Sequence, residues 1–261
     1  NNDLIKPEEK NFKSLKQLTF GGDNAEAYFS FDDSKLVFQS NYTEWNLDCD
    51  QIFVTDINNY NMRNEMPNKV STGLGRTTCA YFMPGDTSII YASTHLKNVE
   101  CPHVPERTDG KYLWPIYDSY DIFVSDLNGK IIKQLTKEKG YDAEATVSPN
   151  GDKIVFTSDR SGDLELYTMN IDDSNVKQVT YELGYDGGAF FSPDGKKLIF
   201  RSSRPKTNQE ITEYKELLLK GLVKPTEMEL YICDVDGENL RQITNLGKAN
   251  WAPFFHPSGK K

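Results

Sequence analysis

The sequence predicts an all-β protein of four-stranded antiparallel blades, because one hairpin pattern recurs along the chain. The pattern is clearest at residues 190–202, FFSPDGKKLIFRS, where two apolar runs flank the turn Ser192-Pro193-Asp194-Gly195. Proline presets φ for the first turn position and glycine accepts positive φ, so this stretch is typical of a β-hairpin. Related segments begin at positions 28, 81, 146 and 254. A repeat this regular outranks every other signal in the sequence.

The spacing of the copies defines the repeating unit. The shortest step runs from 146 to 190, which is the period expected of four-stranded propeller blades. Each hairpin is followed by a third strand, such as DIFVSD at 121–126, and then by a fourth strand marked by KQLT, KQVT or RQIT. Four antiparallel strands per repeat make one blade of a β-propeller, and radial repetition protects the blade edges.

Residues 156–170, FTSDRSGDLELYTMN, followed by KQVT and FSPDG, resemble the TolB-type β-propeller repeat. The resemblance extends from Leu15 to Lys261. It implies a six-bladed propeller in a periplasmic or secreted protein, of which about four and a half blades are present here. TolB also carries an α/β domain before its propeller and binds the peptidoglycan-associated lipoprotein. Few residues precede the first repeat strand here, so the resemblance does not carry that partner over.

The repeat pattern predicts an N-terminal arm at residues 1–14 and a single propeller domain at 15–261. The fifth copy reaches Lys261 directly after its turn, and Leu15–Phe20 reads as a fourth strand with no strands before it. We therefore expect a propeller that is incomplete at its C-terminus. The start lacks both an initiator Met and a hydrophobic signal region, which predicts an exported protein whose signal peptide has been removed.

Composition narrows the classes of partner. The net charge is −9 and the sequence pI is about 5.0, which argues against nucleic acid, since nucleic acid requires clustered Lys and Arg. The sequence contains no apolar run of about 18 residues, so we expect no membrane span. The sequence also gives no indication of a cofactor.

Two long insertions, 94–120 and 204–228, are predicted on one face of the propeller. Both follow the second strand of a blade, and strands alternate in direction. The second insertion contains a capping box, Thr207 with Glu210, before an apolar stripe, and Gly221 closes the segment. This pattern predicts a short helix near 208–220. Function concentrates on loops held by a rigid scaffold, so this face is the predicted binding face.

Polar and aromatic residues of this face lie just before the first strands or in the adjoining loops. Carboxylates that alternate with arginines there form a polar funnel suited to a cation, a peptide terminus or a sugar. In the alternative interpretation, these groups satisfy one another and the loop backbone. The candidate binding residues are Glu26, Trp45, Arg76, Asp142, Glu144, Asp159, Arg160, Asp186, Arg204 and Trp251.

Three of the four cysteines, Cys49, Cys79 and Cys101, map to the same face. In an oxidising compartment any two of them could form a disulfide, and Cys49 with Cys101 is favoured because both flank loops. A zinc site at Cys101 with His95 and His103 is an alternative, but the spacing matches no common zinc pattern, so no metal site is predicted.

The sequence contains no G-x-S-x-G, H-E-x-x-H, P-loop or Rossmann motif. A paired-carboxylate hydrolase using Asp142 and Glu144 has only weak support. The pattern therefore favours a non-enzymatic, exported propeller that binds a protein or peptide partner in the cell envelope. The resemblance also implies two alternatives, the propeller of a prolyl-oligopeptidase-type peptidase and a carbohydrate-binding or lyase propeller that takes a glycan.

Overall fold

The computed structural model describes residues 4–58, 62, 65–105 and 110–260, and it contains four four-stranded antiparallel sheets. Blade one comprises β1 (Asn24–Phe29), β2 (Lys35–Ser40), β3 (Gln51–Asp56) and β4 (Asn68–Lys69). Blade two comprises β5 (Thr77–Phe82), β6 (Ser88–Ser93), β8 (Asp121–Asp126) and β9 (Ile131–Gln134). The insertion of blade two carries β7 (Trp114–Pro115).

Blade three comprises β10 (Asp142–Val147), β11 (Lys153–Ser158), β12 (Glu165–Asn170) and β13 (Lys177–Gln178). Blade four comprises β14 (Tyr185–Phe191), β15 (Lys197–Ser203), β17 (Met228–Asp234) and β18 (Arg241–Gln242). Its insertion carries helix α1 (Asn208–Leu219) and β16 (Leu222–Val223). The predicted four-stranded antiparallel blades and the inserted helix are confirmed.

Two predicted strands outside these blades are not formed. Residues 15–20 and 254–260 have no regular strand structure. A strand is defined by hydrogen bonds to a neighbouring strand, and neither segment has such a neighbour in the part of the chain that is described. The start at residues 1–3 and the final Lys261 lie outside the described residues.

Aliphatic and aromatic side chains fill the spaces between successive blades. Blades one and two enclose a cluster that includes Val37 and Ile89, and blades two and three enclose one that includes Ile122 and Phe156. Blades three and four pack in the same way. These faces are apolar on both sides, which explains why the second and third strands read as continuous apolar runs rather than as alternating patterns.

Four aromatic rings close one level of the central channel. Tyr28 of blade one lies 5.4 Å from both Tyr81 of blade two and Phe190 of blade four, measured between ring centroids. Phe254 of the fifth copy lies 5.1 Å from Phe190. Blades one and four therefore meet at a common axis, and the four blades surround it.

Each first strand is interrupted by a bulge at the same repeat position. The register shifts after Ala25, Thr78, Ala143 and Gly187. The next residue has a positive φ in every copy: Glu26 (51°), Cys79 (53°), Glu144 (58°), Gly188 (58°) and Ala252 of the fifth copy (50°). Four of these five are not glycine, and each such backbone costs about 1–3 kcal/mol. Because the same φ recurs whichever residue occupies the position, the bulge is a feature of the repeat itself.

The two insertions contact each other above blade three. Strand β7 pairs with β16 in an antiparallel ribbon, with Trp114 opposite Val223. Helix α1 begins at the predicted capping box, because the Thr207 hydroxyl accepts from the Glu210 N–H while the Glu210 carboxylate accepts from the Thr207 N–H. Tyr214 of α1 is buried against the propeller. The helix therefore packs on the scaffold rather than projecting from it.

Candidate binding cavity at the mouth of the propeller

A cavity of about 370 Å³ opens at the axis on the face that carries the insertions. The first strands of all four blades contribute to its wall, and the insertion of blade two forms its rim. Strand β16 of the other insertion supports that rim from outside. The residues with polar or aromatic side chains that matter most are Glu26, Asp50, Arg76, Cys79, Tyr112, Trp114, Glu144, Tyr185, Arg201 and Trp251.

Glu144 lines this cavity, and four donors satisfy its carboxylate. It accepts from Arg201 Nη2 at 2.6 Å and from the Tyr185 hydroxyl at 2.7 Å. Thr157 Oγ1 at 2.7 Å and the Gly188 N–H at 3.0 Å complete the set. Arg201 and Glu144 are only 9% and 8% exposed. The pair is thus a buried ion pair whose carboxylate is satisfied by four donors, and it has a structural role.

Two adjacent glycines of β14 make room for this cluster. Gly187 and Gly188 stand where blade one carries an alanine and a glutamate. A Cβ at Gly187 would lie 2.2 Å from Glu144 Oε2, and a Cβ at Gly188 would lie 2.6 Å from Arg201 Nη1. Blade four therefore omits both side chains, so that Glu144 of blade three and Arg201 of blade four can meet.

Glu26 of blade one occupies the repeat position that Glu144 holds in blade three, but its carboxylate has fewer hydrogen-bond partners. In the described part of the chain its carboxylate has a single hydrogen-bond donor, the Tyr28 hydroxyl at 2.5 Å. The side chain is half-buried and lines the cavity. Burial, Glu26 and Glu144 together raise the pKa of the intervening Cys79 thiol, so Cys79 stays neutral and contributes no charge.

Arg76 lines the cavity beside Asp50, with which it forms an ion pair. Burial raises the pKa of Asp50 and the Arg76 guanidinium opposes that rise. The two charges compensate each other at the wall of the cavity. This pairing fixes the side chain of Arg76.

Four other predicted residues form two equivalent ion pairs away from the cavity. Arg160 donates to Asp142 at 2.8 Å, and Arg204 donates to Asp186 at 2.7 Å. In both blades the aspartate lies at the start of the first strand, and the arginine follows the second strand, eighteen positions later. Arg204 also lines a separate cavity of about 250 Å³ between α1 and blade four.

The fourth-strand threonine has the same role in three blades. Its hydroxyl accepts from the backbone N–H of a third strand: Thr136 from Ile122, Thr180 from Leu166 and Thr244 from Leu230. Because that contact must be repeated in every blade, the motif KQxT is a structural signature of the blade and not a ligand-binding one.

The remaining two predicted residues also have local contacts. Asp159 Oδ1 accepts from the Tyr141 N–H at 2.8 Å. Trp45 is half-buried and packs on Phe53, with ring centroids 5.1 Å apart. The structure thus brings Glu26, Arg76, Glu144 and Trp251 together at the mouth, and it places the other six elsewhere on the scaffold.

Cys49 and Cys101, the pair that the sequence favours, form a disulfide with a Cα–Cα distance of 5.8 Å. It ties the loop of blade one to the insertion of blade two. Cys101 is therefore not available to the alternative zinc site. His95 instead contacts Ser93 Oγ at 2.8 Å and packs on Phe123.

Among the described residues, no helix is long and apolar enough to cross a membrane.

Six of the ten cavity residues named above lie outside the predicted binding set: Asp50, Cys79, Tyr112, Trp114, Tyr185 and Arg201. Tyr185 and Arg201 complete the Glu144 cluster, and Tyr112 joins Trp251 at the rim with 6.4 Å between ring centroids. The double glycine at 187–188 could have indicated the cluster, since two glycines inside a strand mark a close approach.

Comparison with known proteins matches residues 116–219 to the TolB β-propeller domain. The putative TolB of Agrobacterium tumefaciens is 18% identical with a TM-score of 0.59, over 88% of this chain and 69% of that one. TolB of Acinetobacter baumannii is 18% identical with a TM-score of 0.60, over 92% and 47%. A puromycin-hydrolyzing peptidase of Mycobacterium tuberculosis is 11% identical with a TM-score of 0.52, over 88% and 32%.

The fold and the mouth cavity define a β-propeller whose open face is built from inserted loops. At these identities the solved structures support the fold alone, and this chain spans about half of the Acinetobacter protein. Over residues 116–219, its repeats are similar to those of the TolB β-propeller domain.

Proposed function

We propose that this chain is an exported, non-enzymatic propeller that binds a protein or peptide through the face carrying its insertions. The mouth cavity carries this proposal. It is wide enough for one or two side chains, and partly exposed aromatic residues form its rim. Trp251 and Tyr112 are 44% and 49% exposed. Aromatic side chains around a concave polar site are typical of binding surfaces.

The polar residues of the mouth favour binding over catalysis. Glu144 accepts hydrogen bonds from four donors, and Asp142 is paired with Arg160. A carboxylate whose oxygens already accept hydrogen bonds from an arginine of the same structure is poorly placed to take a proton from a substrate. Neither residue is therefore suited to the paired-carboxylate chemistry that the sequence leaves open.

The second candidate is a propeller that serves a peptidase domain, and the fold similarity to the mycobacterial peptidase is the observation that favours it. In that role the same mouth would meet a peptide substrate. The glycan alternative has less support, because Trp45 is packed inside blade one and Trp251 alone presents an exposed indole to the cavity.

Site-specific photo-crosslinking in producing cells tests the proposal. A benzophenone amino acid replaces Trp251 at the mouth or, as a matched control, Phe31 on the opposite face, which is 45% exposed. We expect a discrete crosslinked protein or peptide at position 251, identified by mass spectrometry, and none at position 31. Equal products at both positions, or none at 251, would refute binding at the mouth.

A further inference from the structure

We infer that the mouth cavity receives a cationic group, an ammonium or guanidinium, which lies between Glu26 and the aromatic rim. This inference rests on the proposed function, since the cation would belong to the bound protein or peptide. It names the chemistry by which the mouth selects its partner.

Among the residues that the structure describes around the cavity, one carboxylate has no ion-pair partner. The acidic side chains are Glu26, Asp50 and Glu144, and the basic ones are Arg76 and Arg201. Arg76 is paired with Asp50, and Arg201 is paired with Glu144. Three carboxylates therefore share two guanidinium groups, and the remaining negative charge is that of Glu26.

Arg201 does not serve as the partner of Glu26. Its Nη2 donates to Glu144 and to the Tyr185 hydroxyl, and its Nε donates to the same hydroxyl at 3.1 Å. Burial acts to lower the pKa of Arg201, but Tyr185, Glu144 and Glu26 raise it, so the guanidinium stays charged and fixed. It makes no hydrogen bond to Glu26 in the described part of the chain.

The rim supplies a second feature that suits a cation. Trp114 lies 5.2 Å from Trp251 and 6.3 Å from Tyr112, measured between ring centroids. Arg201 already stacks on one of these rings, with its Cζ 5.3 Å from the Trp114 ring. Aromatic faces attract cations through their quadrupole, and this attraction grows as water is excluded. A carboxylate below aromatic rings is thus complementary to a positive group.

The bulge holds Glu26 in place for this role. Its backbone has φ of 51°, a conformation that a side chain other than glycine adopts only at a cost. In blade four a glycine takes the corresponding position, so the fold does not require a side chain there. Glu26 therefore keeps a strained backbone without gaining the partners that Glu144 has.

Tryptophan fluorescence with defined peptides tests the inference. The chain has three tryptophans, and a Trp45→Phe background leaves only the two at the mouth. The probes are blocked tripeptides with central lysine, arginine or norleucine, and triglycine amide with a free amino terminus. We expect at least one cationic probe to bind about tenfold or more tightly than the norleucine peptide. The probe that binds most tightly shows whether the cation is a side chain or an amino terminus.

Glu26→Gln should weaken the best cationic probe by about tenfold, since it removes a charge-assisted contact. Glu182→Gln, an exposed carboxylate on the same face outside the cavity, is the matched control and should leave binding unchanged. Equal affinity for norleucine, or no effect of Glu26→Gln, would overturn the inference. If crosslinking at position 251 succeeds while all cationic probes fail, the inference falls and the proposed function stands.

Discussion

Glu26 and Glu144 occupy the same position of two repeats, but only Glu144 is hydrogen-bonded by side chains of blade four in the described part of the chain. Both have a left-handed backbone at the bulge, and both face the axis. Glu144 gains an arginine, a tyrosine, a threonine and a backbone N–H, whereas Glu26 gains one tyrosine. The same repeat position therefore serves stability in one blade and, as we propose, recognition in another.

Glu144→Gln should give the largest loss of stability. The change leaves the buried Arg201 guanidinium without its counter-ion, and breaking a buried pair in this way costs about 3–5 kcal/mol. Urea unfolding monitored by circular dichroism measures the free energy of unfolding. A loss as small as that of the same substitution at Glu26 would show that the two carboxylates do not differ as described.

Gly187→Ala should have an intermediate effect. The added methyl group would meet Glu144 Oε2 and the Tyr185 hydroxyl, and such overpacking costs about 1–3 kcal/mol. The reciprocal control is Ala25→Gly, the equivalent exposed site of blade one, where we expect a loss below about 1 kcal/mol. Thermal unfolding of both variants checks the difference. Equal midpoints would contradict the steric reason given for the two glycines.

Glu26→Gln should have the smallest effect on folding. A glutamine keeps an acceptor for the Tyr28 hydroxyl, and Glu26 has no ion-pair partner to lose among the described residues, so we expect a change within about 0.5 kcal/mol. The same urea titration measures this change in the free energy of unfolding. A loss comparable to that of Glu144→Gln would mean that Glu26 is a structural residue, and it would remove the basis for a recognition role.

Local turn and capping chemistry made the blades predictable from the sequence. Ser-Pro-Asp-Gly turns fix hairpins through φ preferences that act within four residues. Thr207 and Glu210 likewise fix the start of α1 through mutual capping. The strands at 15–20 and 254–260 were predicted from the same patterns, but a strand also needs a neighbour, which a local pattern does not supply.

The composition of the cavity was less predictable because it depends on contacts between blades. The sequence predicted that Asp142, Arg160, Asp186 and Arg204 line the polar funnel at the mouth. In the structure, each aspartate instead forms an ion pair with the arginine of its own blade. The recurrence of this pair in two blades could have revealed it. The position of Trp114 could not be foreseen, since it depends on pairing between insertions of two different blades.

Because β7 pairs with β16, the width of the mouth depends on the insertions of both blade two and blade four. Ile116 donates its N–H to the Gly221 carbonyl, so the rim contributed by blade two is anchored to the insertion of blade four. A residue added to or removed from either insertion would displace the aromatic rim on the other side of blade three. New partner preferences at this mouth would therefore require matched changes in both insertions.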